Sequence, residues 1–279
     1  MATEDSAGGV LLADYALARR IEAADTAVGM ESAEIHARIE PGSGAVAQPL
    51  AGGVAVFLGV DSPLTQALGV GMEGPVRAPD LDALEHFFTS RGSAVHVELC
   101  PLADASVVRE MAGRGYRLMD FSNMMVRRIR LVESTVPPGS SISVQFSGAE
   151  EAELWARTIA MGFGDQQVQT PENLAVLRSI LSQPATKCVL AWVDGRPAGG
   201  GALSLHDGVA AIYGASTVPS FRRLGVQSAL IRALMNYAVE AECDLAYTLT
   251  RPGSVSQRNL ERQGFRVAYT RSTLLREMS

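Results

Sequence analysis

The sequence predicts an α+β fold: a mixed, mostly antiparallel central sheet with helices on both faces. Three observations predict it. From residue 141 onward, apolar and amphipathic runs follow the order strand, two helices, three strands, helix, strand, helix, strand. Asp-Gly pairs at Asp194-Gly195 and Asp207-Gly208 separate the three middle strands, as hairpin turns do. The first part of the chain repeats the later pattern in outline. The 279 residues are 47% hydrophobic and 19% charged, a globular composition with room for two domains that each bury a core.

SISVQFSG alternates as a strand. EEAELWARTIAMGF and PENLAVLRSILSQP read as helices, the second with Pro171 in its first turn. VLAWV (189–193), AGGGALSLHDG and VAAIYGAST read as strands. After Gly225 a helix places Leu230, Leu234 and Ala238 on one face. DLAYTLT is a strand, VSQRNLERQG a helix, and FRVAYTRSTLLRE a closing strand or strand pair.

Setting Gly115-Tyr116-Arg117 on Gly264-Phe265-Arg266 gives an offset of 264 − 115 = 149. Without a gap, the same offset sets Arg109 on Arg258 and DALEHFFTSRG on IRALMNYAVEA, and brings VHVEL over DLAYT. Between the halves lies VESTVPPGS, where Pro137, Pro138 and Gly139 interrupt helix and strand alike. The expected division is 1–131, a linker at 132–140, and 141–279.

The net charge of −6 and pI of about 5.3 give no support for nucleic-acid binding. Cys100, Cys188 and Cys243 are few, odd in number and far apart, as expected of buried thiols in a reducing compartment. The four histidines are scattered, so no metal site is expected. No apolar run suggests a signal peptide or a membrane span, and a cytoplasmic protein is expected.

The segment Thr217 to Leu230 carries the chemistry. A helix start leaves backbone N–H groups unpaired, with roughly half a positive charge from the dipole. Gly225 lets the backbone bend and approach an anion closely. Arg222 and Arg223 add charge at the rim. Residues 223–228 (Arg223, Leu224, Gly225, Val226, Gln227, Ser228) can therefore hold a pyrophosphate through main-chain N–H groups. On residue chemistry alone, an ordinary strand-to-helix connection explains the stretch equally well.

The stretch resembles the coenzyme A signature of the GCN5-related N-acetyltransferases, Arg/Gln-x-x-Gly-x-Gly/Ala. Arg222 and Gly225 match it; Gln227 departs, where the family has Gly or Ala. The similarity covers residues 141–279 and includes SVSQRNLERQGF, which resembles the family's second cofactor-side motif. It implies two tandem acyl-coenzyme A N-acyltransferase-like domains, the first degenerate. It also implies acetyl-coenzyme A as acyl donor and no metal. Ala215, Ser216 and Thr217 would pair with the pantetheine arm, DLAYTLT would splay away to leave a thioester slot, and Ser256 and Asn259 would reach the cofactor. Many family members carry a proton-donating Tyr where this chain has Leu260, so no catalytic residue is assigned; Tyr213, Tyr247 and Tyr269 are substitutes.

Gly69-Val70-Gly71-Met72-Glu73-Gly74 spells GxGxxG, and Glu98 falls near where a ribose-binding acid would lie. A dinucleotide site is rejected, because the helix is expected only near Pro79 and Asp80 and repeated βαβ units are missing. At offset 149, Glu73, Gly74, Pro75 and Val76 replace Arg222, Arg223, Leu224 and Gly225. An acid replaces an Arg, and Pro75 has no N–H, so this copy is expected to bind pyrophosphate poorly.

The expected function is acyl transfer to a primary amine of a small molecule or peptide by direct attack. The alternative is an acyl-coenzyme A sensor or scaffold that has lost catalysis. Expected partners are the amine acceptor, no nucleic acid and no membrane, with a homodimer allowed. Glu150, Glu151, Glu153 and Asp165 are available to attract a cationic acceptor.

Overall fold

A computed structural model of the protein describes residues 13–60, 62–129, 141–164 and 170–278. The linker 132–140 and Asp165 lie outside the described residues. The first half contributes α1 (Tyr15–Ile39), β1 (Val46–Leu50), β2 (Gly53–Phe57), β3 (Gln66–Leu68), α2 (Ala78–Thr89), β4 (Val95–Leu99), α3 (Ser106–Met111) and β5 (Arg117–Arg128). The second contributes β6 (Ile142–Ser147), α4 (Ala152–Phe163), α5 (Pro171–Ile180), β7 (Thr186–Val193), β8 (Arg196–His206), β9 (Val209–Thr217), α6 (Val226–Glu240), β10 (Leu245–Thr250), α7 (Val255–Arg262) and β11 (Arg266–Arg276).

The α+β architecture and its helix-covered, mostly antiparallel sheet are as the sequence predicts. All eleven strands join one sheet, in the order β1-β2-β3-β4-β11-β5-β10-β9-β8-β7-β6. Within it β3–β4 and β9–β10 are parallel and the other neighbours antiparallel. Both Asp-Gly pairs have positive φ at both residues, the geometry of a two-residue hairpin turn. The closing segment is one strand, not two.

The halves exchange their last strands. β5 lies between β10 and β11, and β11 lies between β4 and β5. Arg117 pairs with Leu275 and Val126 with Arg266, and the 149-residue offset turns one pair into the other. Each strand has one residue bulged out of register, Met119 in β5 and Ala268 in β11, and 268 − 119 = 149. The offset read from the sequence thus extends to an irregularity in backbone pairing.

Successive strand residues face opposite sides of the sheet. Met125 packs with Leu230, Leu234 and Leu260 beneath α6 and α7, while Met124 and Val126 pack with Ala18, Ile21 and Ala24 of α1. Helices α2 and α3 cover the first half on the α6 side. Helices α4 and α5 share the face of α1. Val176 of α5 reaches Val54, Val56 and Leu68 of β2 and β3, so the two wings of the sheet curve toward each other around α1.

Helix α1, for which the sequence analysis gives no expectation, is the hub of this face. Asp14 caps its start by accepting from the Leu17 N–H. Arg271 of β11, 1% exposed, donates two hydrogen bonds to Glu22 of α1 at 2.9 and 2.8 Å and one to Asp25 at 2.7 Å. Tyr269 and Tyr247 donate to the same two carboxylates. The three cysteines are buried and unpaired. Among the described residues no helix is long and apolar enough to cross a membrane.

Removing one partner of a buried ion pair strands the other, which costs about 3–5 kcal/mol. Arg271→Met should therefore lower the unfolding free energy by about that amount in urea titration. Arg20→Met breaks only the exposed pair with Asp244 and should cost less than about 1 kcal/mol. Equal effects would deny the buried cluster its role.

Candidate active site

β9 ends at Thr217, and a short turn at Pro219–Phe221 leads to Arg222. Arg223 and Gly225 both have positive φ, +67° and +92°, which swings the chain sharply into α6. Glycine takes such a φ without strain, and a side chain at position 225 would not. Val226 is buried in the core and fixes the helix start. The first bond into the helix runs from the Ala229 N–H to the Gly225 carbonyl, so the three preceding N–H groups have no partner within the helix. No side chain caps this end, and its first turn holds no acid. A helix start without a cap or carboxylate of its own, on an exposed loop with two arginines, suits an anion.

The predicted cofactor residues fall into three groups. Arg222, Arg223, Leu224 and Gly225 form the exposed loop, with Val226, Gln227 and Ser228 in the first helical turn. The Arg222 guanidinium donates to the Gly162 carbonyl at 3.1 Å and the Thr217 carbonyl at 3.4 Å, tying the loop to the end of α4. Gln227 turns aside toward α7: it donates to the Ser256 hydroxyl at 3.0 Å and accepts from the Asn259 amide at 2.8 Å. Three residues picked separately thus form one side-chain network joining α6 and α7. Ser254 caps α7 by accepting from the Gln257 N–H.

Ala215, Ser216 and Thr217 lie at the far end of β9. Here β9 carries a bulge, with Gly214 at φ +65°: Tyr213 pairs with Ala202, and the next pair is Ser216 with Gly200. The Ser216 hydroxyl donates to the Ile159 carbonyl. On the other side, β9 and β10 pair over three residues each, Val209–Ala211 with Leu245–Tyr247. Past that point β9 stays with β8, while Thr248, Leu249 and Thr250 of β10 stay with β5. The strands part and leave a slot in the middle of the sheet, beside the start of α6.

Leu260 is buried against the α6 side of the core. The three substitute tyrosines all have their hydroxyls engaged. Tyr213 bonds to Thr186 and Gln183, Tyr247 donates to Asp25 and Tyr269 donates to Glu22. Burial raises each phenol above its ordinary value, so each holds its proton tightly. Of the acids expected to draw a cationic acceptor, Glu153 is paired with Arg157 and Arg178, and their hydrogen bonds hold its carboxyl below the usual range.

In the first half, the stretch Gly69 to Gly74 precedes α2 by several residues, as the rejection of a dinucleotide site requires. A Cβ on Gly71 would lie 2.3 Å from a Val107 methyl, so this glycine serves close packing on α3. Glu73 faces Arg19 of α1. The acids of α1, Glu22 and Asp25, escaped the sequence reading. Their signal was an i, i+3 pair of carboxylates on the apolar face of a helical repeat.

The acetyltransferase (GNAT) family matches residues 153–265. No curated protein matches the chain. Among solved structures, a GCN5-related N-acetyltransferase from Kribbella flavida is similar over 94% of this chain and 96% of that one, with 19% identity and a TM-score of 0.67. A GCN5-related N-acetyltransferase from Sphaerobacter thermophilus is similar over 66% and 60%, at 16% identity and a TM-score of 0.52. A tandem GNAT protein from the clavulanic acid biosynthesis pathway is similar over 67% and 65%, at 14% identity and a TM-score of 0.51. At these identities the likeness concerns the fold. The matched residues 153–265 hold the loop, the slot and α7, and the chain has the fold of the GCN5-related N-acetyltransferases, one of these neighbours being a tandem GNAT protein.

Proposed function

We propose that the protein transfers an acetyl or related acyl group from acyl-coenzyme A to a primary amine of a small molecule or peptide. The observation that carries this reading is the uncapped, acid-free start of α6 beside the slot between β9 and β10. The thioester would supply the activated acyl group. Main-chain N–H groups of residues 223–228 would hold the pyrophosphate, with the charge of Arg222 and Arg223 at the rim. The backbone of Ala215, Ser216 and Thr217, on the edge of β9 that β10 leaves, would align the pantetheine arm. The Gln227 side chain, held by Ser256 and Asn259, leaves the loop clear.

Direct attack needs positioning more than a covalent intermediate, and holding the reactants in register supplies much of the rate. With Leu260 buried and the three tyrosines bound elsewhere, the departing thiolate takes its proton from water. The division at 132–140, with an N-terminal copy that binds pyrophosphate poorly, belongs to the same proposal. It is supported by Glu73 and Pro75 in the corresponding loop.

Two measurements test this. Incubation with acetyl-coenzyme A and a panel of primary amines should release free thiol above the blank, and only when an amine is present. Cofactor binding with no release for any amine would overturn the transferase reading. Gly225→Glu should weaken coenzyme A binding at least tenfold in calorimetry, about 1.4 kcal/mol or more. Gly74→Glu, also at a positive φ of +132°, should leave it within about twofold of the wild type. The opposite ranking would place the cofactor in the wrong half.

A further inference from the structure

A cavity of about 290 Å³ lies between α1 and the middle of the sheet. This is near the lower size limit of small-molecule sites and far too small for a folded partner. Its wall crosses the whole molecule. Ala211 and Ile212 of β9 and Leu249 of β10 contribute from where those strands part, and Leu68 and Glu98 contribute from the first half.

Most of the wall is apolar, but the charged groups are unevenly matched. Arg271 donates from Nε, Nη1 and Nη2 to Glu22 and Asp25. Glu98 has one oxygen that accepts from the Thr273 hydroxyl at 2.8 Å. Its other oxygen, Oε2, is buried without a hydrogen-bond partner. One guanidinium therefore stands among three carboxylates and is hydrogen-bonded to only two of them. Burial raises the Glu98 carboxyl above its usual range, only partly offset by the Thr273 hydrogen bond and the Arg271 charge. An unpaired buried carboxylate is costly until it takes a proton or meets a cation.

We propose that this cavity is the acceptor site, that it takes a compact primary amine as its ammonium ion on an apolar body, and that Glu98 of the first half binds that ammonium. The inference rests on the acyltransferase reading and narrows it. The ammonium would lie against the Glu98 carboxylate while the apolar body fills the space beneath α1, on the wall that contains the parting strands, and it gives up one proton to water before its nitrogen attacks the thioester. A cavity of this size favours a compact amine over a bulky one. Glu98 is here a binding and specificity residue: it chooses an amine over its neutral counterpart by supplying the missing charge partner.

The test is calorimetry on the full chain, with and without coenzyme A. The probes are isopentylamine, phenethylamine and tyramine, each paired with the alcohol of the same carbon frame. At least one amine should bind ten times or more tighter than its alcohol. Glu98→Gln should remove that preference, leaving the alcohol's affinity and coenzyme A binding within about twofold of wild type. If no amine is preferred over its alcohol, or if Glu98→Gln leaves the preference intact, the assignment is wrong. Thiol release separates the two readings. Release with amines at an unchanged amine KM in Glu98→Gln overturns the acceptor site and leaves the transferase standing. A Glu98-dependent amine preference with no release keeps the site and overturns the transferase.

Discussion

Arg271 lies at the centre of the sheet, shut off from water, and its charge is met there by Glu22 and Asp25 of α1. That contact fixes the register of α1 against β11. Tyr247 of β10 and Tyr269 of β11 lock onto the same carboxylates, so the helix is held by strands on both sides of the exchange. A helix held at that height roofs the sheet without filling the space beneath it. The cavity, its apolar wall and the exposed side of the slot all follow from where the ion cluster places α1. Buried charges are a weak source of net stability; here they act chiefly as a register device.

The strand exchange sets the other constraint. β5 and β11 sit back to back at the midpoint of the sheet, related by the same offset in pairing and in bulge. β10 must keep β5 as its neighbour, so it cannot follow β9 when β9 bends away at Gly214. The slot thus comes from two strands that answer to different partners. One of those partners belongs to the first half.

Much of this was legible in the sequence. The Asp-Gly pairs, the helix after Gly225 and the alternating strands are local signals, and local signals survive in the fold. The 149-residue offset revealed the internal likeness but not the exchange, because swapping equivalent strands leaves every local pattern unchanged. The direction of Gln227 was equally hidden, since it depends on Ser256 and Asn259 some thirty residues away in the chain. Glu98 was noticed for the wrong chemistry. Its acidity was visible, but the absence of a partner for one of its oxygens is a fact of three-dimensional packing. Helix α1 went unread although Asp14 marks its start, and with it went the acids that organise the centre.

The exchange also orders events in time. β4 spans Val95–Leu99; it pairs with β3 on one side and finds its other neighbour only in residues 272–276. Until β11 exists, the first half carries an open strand edge on each side of the place where β11 will lie. Unpaired edges invite pairing with other chains, and contacts so distant in sequence close slowly. A newly made chain is therefore most exposed to aggregation just before its last strand is available, and it passes that point only when one short segment slides between β4 and β5 and completes both halves at once.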